Sequence, residues 1–374
     1  MKFQVSTDTF AKALSVVSKG ISTRTTLPVL SGVLLDLEDN KLTLIGSNTE
    51  VALKVQISVL GDQEGSVLVP ARLLTDFVLN VSAEMLQIES IDSSLKIIAG
   101  KTKSDFACLL ADEYPELHFQ MQSTKYMLPS KEIADAIDRV SFAASGDEAR
   151  AILTGVSLKV DNGVLEMAAT DGFRLSVEKF ASELFTQNFA VVVPSKVMQE
   201  VSKIVRESSG NNAGNFSCAL SKEGTQLIFE LPGGVLFMTR MLEGTFPPYN
   251  KIIPSSYATR VIFAVDELVK NVRTGSLFAR SGSSVLKMVV DSSEKVVRLS
   301  SATEQVGEYS SEINATLEGS ANSIAFNSKY LLDFLAKVKE PKIVLEMNGP
   351  NQPGVWRIPE YTDYLHVVMP IRTE

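Results

Sequence analysis

Apolar and polar residues alternate along most of the chain, in short runs closed by Gly, Asp or Ser. This two-residue period marks half-buried antiparallel strands. Residues 33–37, 41–45, 51–58, 85–89, 94–99 and 104–110 read this way, and residues 1–8 enter directly into such a strand. Helical spacing interrupts the alternation. Phe10, Leu14 and Val17 share one face of a helix predicted over residues 8–19, and a second is predicted over 71–81. Ser130 stands where it would cap a third.

The pattern occurs three times. Val67-Leu68-Val69-Pro70, followed by Ala71-Arg72-Leu73-Leu74, returns as Val191-Val192-Val193-Pro194 with Ser195-Lys196-Val197-Met198. It returns again as Ile324-Ala325-Phe326-Asn327 with Ser328-Lys329-Tyr330-Leu331. In the first two copies Pro stands where a helix begins, a position its fixed φ favours and its missing N–H does not penalise. Ser47, Thr170 and Ala302 are spaced by 123 and 132 positions, and Pro70, Pro194 and Asn327 by 124 and 133. Separate segments sharing one shift imply three domains of one design, expected at 1–123, 124–253 and 254–374. Linkers follow from Glu113-Tyr114-Pro115 and Thr245-Phe246-Pro247-Pro248-Tyr249. Two helices among many antiparallel strands in each domain make the fold class α+β.

A chain of 374 residues, 45% of them apolar, supports that many ordinary cores. Nothing near the start reads as a leader and no apolar run reaches ~18 residues, so a cytoplasmic protein without a membrane span is expected. Cys108 and Cys218 fall in different repeats and read as reduced thiols. The only histidines, His118 and His366, also fall in different repeats, which argues against a histidine triad or metal centre. Gly100-Lys101-Thr102 lacks the upstream Gly of a phosphate loop. Asp171 and Arg174 could form an acid/base pair, but Asp before Gly is first of all a turn residue with an ion pair beside it. No catalytic residue, metal or cofactor is expected. The net charge of −8 argues against a protein that coats nucleic acid. The predicted helices nevertheless carry a small basic excess over an acidic body, enough to meet phosphates without reading sequence.

Five segments in order carry a family likeness: Thr26-Leu27-Pro28-Val29-Leu30, Val69-Pro70-Ala71-Arg72, Ala169-Thr170-Asp171-Gly172-Phe173-Arg174-Leu175, Thr245-Phe246-Pro247-Pro248-Tyr249 and Val367-Val368-Met369-Pro370-Ile371-Arg372. On these, over its whole length, the chain resembles the bacterial DNA polymerase III β subunits, the β sliding clamps. The resemblance implies a head-to-tail homodimer, a ring of six DNA-clamp domains with helices lining the hole. Double-stranded DNA threads that ring, so the clamp is held by topology while it tethers a polymerase. It is then a processivity factor and not an enzyme. Matching positions imply DNA contact from Arg24, Arg72 and Lys196, and also from Lys12, Arg139 and Lys203.

The resemblance further implies a hydrophobic pocket between the second and third domains. It would take short peptide motifs of the DNA polymerase III alpha subunit, other polymerases, the clamp loader and mismatch-repair proteins. It maps to Leu153, Thr170, Gly172, Phe173, Arg174, Leu175, Pro247, Ile252, Val367, Met369, Pro370 and Arg372. Gly172 would allow close backbone approach, and Met369 would give an adaptable wall. Phe173 stands where the family often has His, Lys251 where Arg is common, and Glu374 where the end is usually apolar. The subunit interface maps to Phe106 and Cys108 on an edge strand, with Leu277 and Phe278 opposite. The alternative is a three-repeat peptide-binding scaffold that never encircles DNA.

Overall fold

Each copy of the repeated signature folds as a strand running straight into a helix. The strand Gly65–Pro70 leads into the helix Ala71–Asn80, Phe189–Pro194 into Ser195–Ser209 and Asn322–Asn327 into Ser328–Leu335. The computed structural model describes residues 1–22, 27–109, 111–209, 214–279, 284–303 and 307–372. Among these residues there are six α-helices: α1 (Thr7–Val17), α2 (Ala71–Asn80), α3 (Ser130–Val140), α4 (Ser195–Ser209), α5 (Val265–Ala279) and α6 (Ser328–Leu335). Four wholly antiparallel sheets complete the α+β architecture.

The junctions differ in detail from the sequence reading. Pro70 is not the first helical residue. It ends its strand and stands at the N-cap of α2 with φ −53° and ψ 110°. Pro194 likewise ends its strand. Both strands are the outermost of their sheets, where a missing N–H removes no ladder bond. In the third copy Asn327 caps α6 by accepting from Lys329 N at 2.9 Å. Ser130 is no cap but the first residue of α3, and its buried hydroxyl has no hydrogen-bond partner among the described residues. The strand expected over 104–110 lies at Thr102–Ala107; Leu110 lies outside the described residues. The strand Leu60–Gln63 was not expected, because all four of its residues are exposed and carry no apolar alternation.

The chain forms two compact units, residues 1–134 with 200–241, and residues 135–199 with 242–374. In the first, a five-stranded sheet ends on Thr102–Ala107, and an eight-stranded sheet takes strands from repeats one and two. Val51–Ser58 joins Val235–Arg240 there, with Ala52 opposite Met238. In the second unit, a nine-stranded sheet takes strands from repeats two and three. Arg174–Ala181 joins Tyr361–Val368, with Leu175 opposite Val367. A four-stranded sheet ends on Gly307–Asn314. The compact units therefore cut through repeat two and not at the linkers. The cause is strand pairing across repeat boundaries, which removes edges that would otherwise stay open. Trp356 centres the core of the second unit, its ring 6.0–6.2 Å from those of Phe263, Phe326 and Phe334. Among the described residues no helix is long and apolar enough to cross a membrane.

Candidate functional site

The turn at 171–173 links the strands Val164–Thr170 and Arg174–Ala181 in the second unit. Gly172 adopts φ +90°, which an L side chain rarely tolerates. Asp171 Oδ1 accepts from the backbone N–H of Phe173 at 2.9 Å and of Arg174 at 3.0 Å. Its Oδ2 accepts from Arg174 Nε at 3.1 Å. Thr170 Oγ1 donates to Arg174 O at 2.6 Å and accepts from Gly172 N at 3.0 Å. Both carboxylate oxygens of Asp171 are thus spent on the turn, which disposes of the acid/base reading. The tight turn throws Phe173 outward. Its side chain is 55% exposed and stacks on Tyr330 at 6.4 Å. Phe173 O accepts from Met369 N at 2.8 Å, tying the turn to the C-terminal segment.

Between these pieces lies a cavity of about 200 Å³. Its floor is Leu175 and Val367, which pack with Ala168, Val177 and Val355. Leu153, Pro247, Pro248, Tyr249 and Ile252 form its walls, and Phe173 and Met369 its lip. Tyr249 donates its hydroxyl to Glu166, which also pairs with Lys179 at 2.5 Å. Burial pushes the Glu166 carboxyl up, but its bonds to Lys179 and Tyr249 outweigh that and hold it below the usual carboxylate range. Burial and the neighbouring Glu166 push the Tyr249 phenol up, so it remains a donor and its ring is pinned.

Ten of the twelve pocket residues expected from sequence line this one cavity. Pro370 and Arg372 do not, and Arg372 is exposed. Pro248 and Tyr249 were missed as wall residues, although both belong to a motif already singled out. An aromatic following a Pro pair was the available signal. Lys251 is exposed beside Ile252, and Glu374 lies outside the described residues.

The candidate DNA contacts fare unevenly. Arg72 is 85% and Lys12 76% exposed at the side chain, each near an acid of its own helix, and Lys196 is exposed. Lys203 pairs with Glu200 at 2.6 Å. Arg24 lies outside the described residues. Arg139 must be corrected: its guanidinium is buried against Glu178, with Nε donating at 2.8 Å, and lies 4.3 Å from the Tyr361 ring. Its charge is spent inside the protein, and no helix periodicity could have disclosed a partner 39 positions away. Among the interface candidates, Phe106 is also corrected. It is 4% exposed and meets Phe77 edge to face at 5.3 Å, so it offers core packing and not a contact surface. Cys108 is partly exposed, Leu277 is 48% exposed, and Phe278 stacks on Tyr309 at 5.8 Å.

A larger concavity of about 990 Å³ covers the pleated face of the five-stranded sheet. Lys2 faces Glu89, Glu89 faces Lys96 and Lys96 faces Asp105 across it, and Asp62 lies 3.6 Å from Lys2. Such an alternating charge row suits water, not apolar anchors.

The sequence patterns that define the N-terminal, central and C-terminal domains of the DNA polymerase III beta subunit match residues 1–118, 127–248 and 250–372. The beta sliding clamp of Staphylococcus epidermidis is 29% identical over 384 aligned residues, covering all of both chains. The DNA polymerase sliding clamp of Bacillus subtilis superposes with a TM-score of 0.91 at 29% identity, again over 100% of each chain. The Streptococcus pneumoniae beta chain does so with a TM-score of 0.93 at 26% identity over 100% of each. The chain therefore belongs to the family of DNA polymerase III beta subunits, the bacterial sliding clamps, which serve DNA polymerases as processivity factors and are not enzymes.

Proposed function

We propose that two copies of this chain close head to tail into a ring of six repeats around duplex DNA, and that the cavity at the 171–173 turn captures short peptide segments of polymerases, clamp loader and repair proteins. On this reading the repeats are domains 1–123, 124–253 and 254–374, and the protein works in the cytoplasm. The observation that carries the pocket is an apolar cavity whose lip is formed by two side chains left in solvent, Phe173 at 55% and Met369 at 38%. Exposed apolar groups at the mouth of a small cavity suit apolar anchors from a partner. Arg72, Lys12, Lys196 and Lys203 remain the candidates for phosphate contact, with Arg24. Ring closure has the terminal strands of two sheets to use, Thr102–Ala107 and Gly307–Asn314, with Leu277 exposed at the end of α5.

Titration of a labelled Gln-Leu-Ser-Leu-Phe peptide tests the pocket. Micromolar binding by the wild type is expected, with about a tenfold loss in Met369→Ala from the removed apolar wall. No binding at millimolar peptide would sink this assignment.

A further inference from the structure

Asp333 lies on α6, does not line the cavity, and yet stands at the head of the bonds that shape it. Its Oδ2 accepts from Arg174 Nη1 at 2.8 Å. Arg174 Nε reaches Asp171 Oδ2 at 3.1 Å, and Asp171 Oδ1 holds the N–H groups of Phe173 and Arg174. Phe173 O then accepts from Met369 N. One unbroken path of hydrogen bonds thus runs from α6 through the turn to the C-terminal segment. Arg174, Phe173 and Met369 along it all line the cavity. Tyr330, three positions before Asp333 and so on the same face of α6, touches two of the cavity's residues. The Arg174 guanidinium carbon is 4.7 Å from its ring centre, and Phe173 stacks on it at 6.4 Å.

A guanidinium this deep needs anions around it. Arg174 is 9% exposed at the side chain, and Asp171 already spends one oxygen on the turn backbone. The second carboxylate comes from another repeat. Building on the peptide-pocket reading, we propose that Asp333 is a positioning residue of the pocket: it fixes Arg174, and through it the turn and Phe173, in the geometry that receives a peptide side chain. Asp333 itself touches no ligand. Two carboxylates on different edges of one planar guanidinium set its rotation as well as its place.

The test uses the full-length protein with Asp333→Asn, Asp333→Glu and Arg174→Gln. It measures three things: affinity for the Gln-Leu-Ser-Leu-Phe peptide, hydrogen exchange at the Phe173 and Arg174 amides, and melting temperature. Asp333→Asn is expected to weaken the peptide about tenfold, the scale of a lost charge-assisted bond, and to speed exchange at both amides. Asp333→Glu restores both readouts, because the charge returns. In an Arg174→Gln background, Asp333→Asn has no further effect on affinity. Unchanged affinity and exchange in Asp333→Asn overturn the proposal. So does a loss that Asp333→Glu fails to rescue and that follows the melting temperature, since Asp333 would then merely stabilise α6. A wild type that binds no peptide would sink the pocket reading and the role of Asp333 in binding with it; exchange would still show whether Asp333 holds the turn.

Discussion

His366 is fully buried in the second unit, stacked on Phe334 at 4.5 Å and tilted against Phe142 at 5.1 Å. Its Nδ1 lies 2.7 Å from Ser176 Oγ. Burial, and after it the nearby Arg174, holds its pKa well below the ordinary imidazole value. The folded state therefore binds fewer protons here than the unfolded chain does. Its stabilising contribution is complete above the unfolded value of ~6.5 and declines as pH falls below it. Denaturant unfolding at pH 8 and pH 5 should show a steeper loss for the wild type than for His366→Phe; equal losses would refute the assignment. The sequence disclosed only that His366 had no histidine partner. Its place against two rings depends on Phe334, earlier in its own repeat, and on Phe142, in the repeat before.

At the scale of elements, α5 shows why a helix can keep a residue that its own propensity disfavours. Gly275 costs a helix interior ~1 kcal/mol relative to Ala. A Cβ built there would lie 2.7 Å from Leu286 Cδ1 and 3.1 Å from the Tyr309 ring. Leu286 is fully buried, so its Cδ1 can shift only by disturbing the core around it. Overpacking of ~1–3 kcal/mol should outweigh the propensity gain, so Gly275→Ala is expected to lower stability by about 1 kcal/mol in denaturant melts. A stabilised variant would mean that the helix shifts freely. The turn at 171–173 was the most legible element: Asp before Gly and the ion pair to Arg174 are both present, because all their partners lie within three positions. The N-termini of the helices were less legible. The proline read as a helix start proved to be the end of an edge strand, since its neighbours across the sheet decide which group it may lack.

For the whole molecule, the proposed ring makes DNA retention a matter of topology. A clamp loaded onto circular DNA by its clamp loader should stay bound through moderate salt and be released when the circle is cut. Direct affinity for linear DNA should be weak and fall steeply with salt, as expected for a few phosphate contacts. Equal retention on both forms would favour the repeat scaffold that never encircles DNA. The charge of −8 fits a clamp held by topology better than one held by affinity.

The α+β class and the threefold repeat could be read from the residues alone, and the family resemblance added most of the apolar wall residues. The class and the repeat rest on periods of two and near four residues and on motifs read within a few positions, which local chemistry controls; the wall residues rest on the resemblance carried by the five segments. It took the folded chain to show that Arg139 spends its charge on Glu178, that Phe106 is core, and that Asp333 grips Arg174 across 159 positions. The fold also joins neighbouring repeats through shared sheets, so that compactness divides repeat two. Burial and pairing at such separations are set by which edges and faces meet, and no short stretch of chain contains that information.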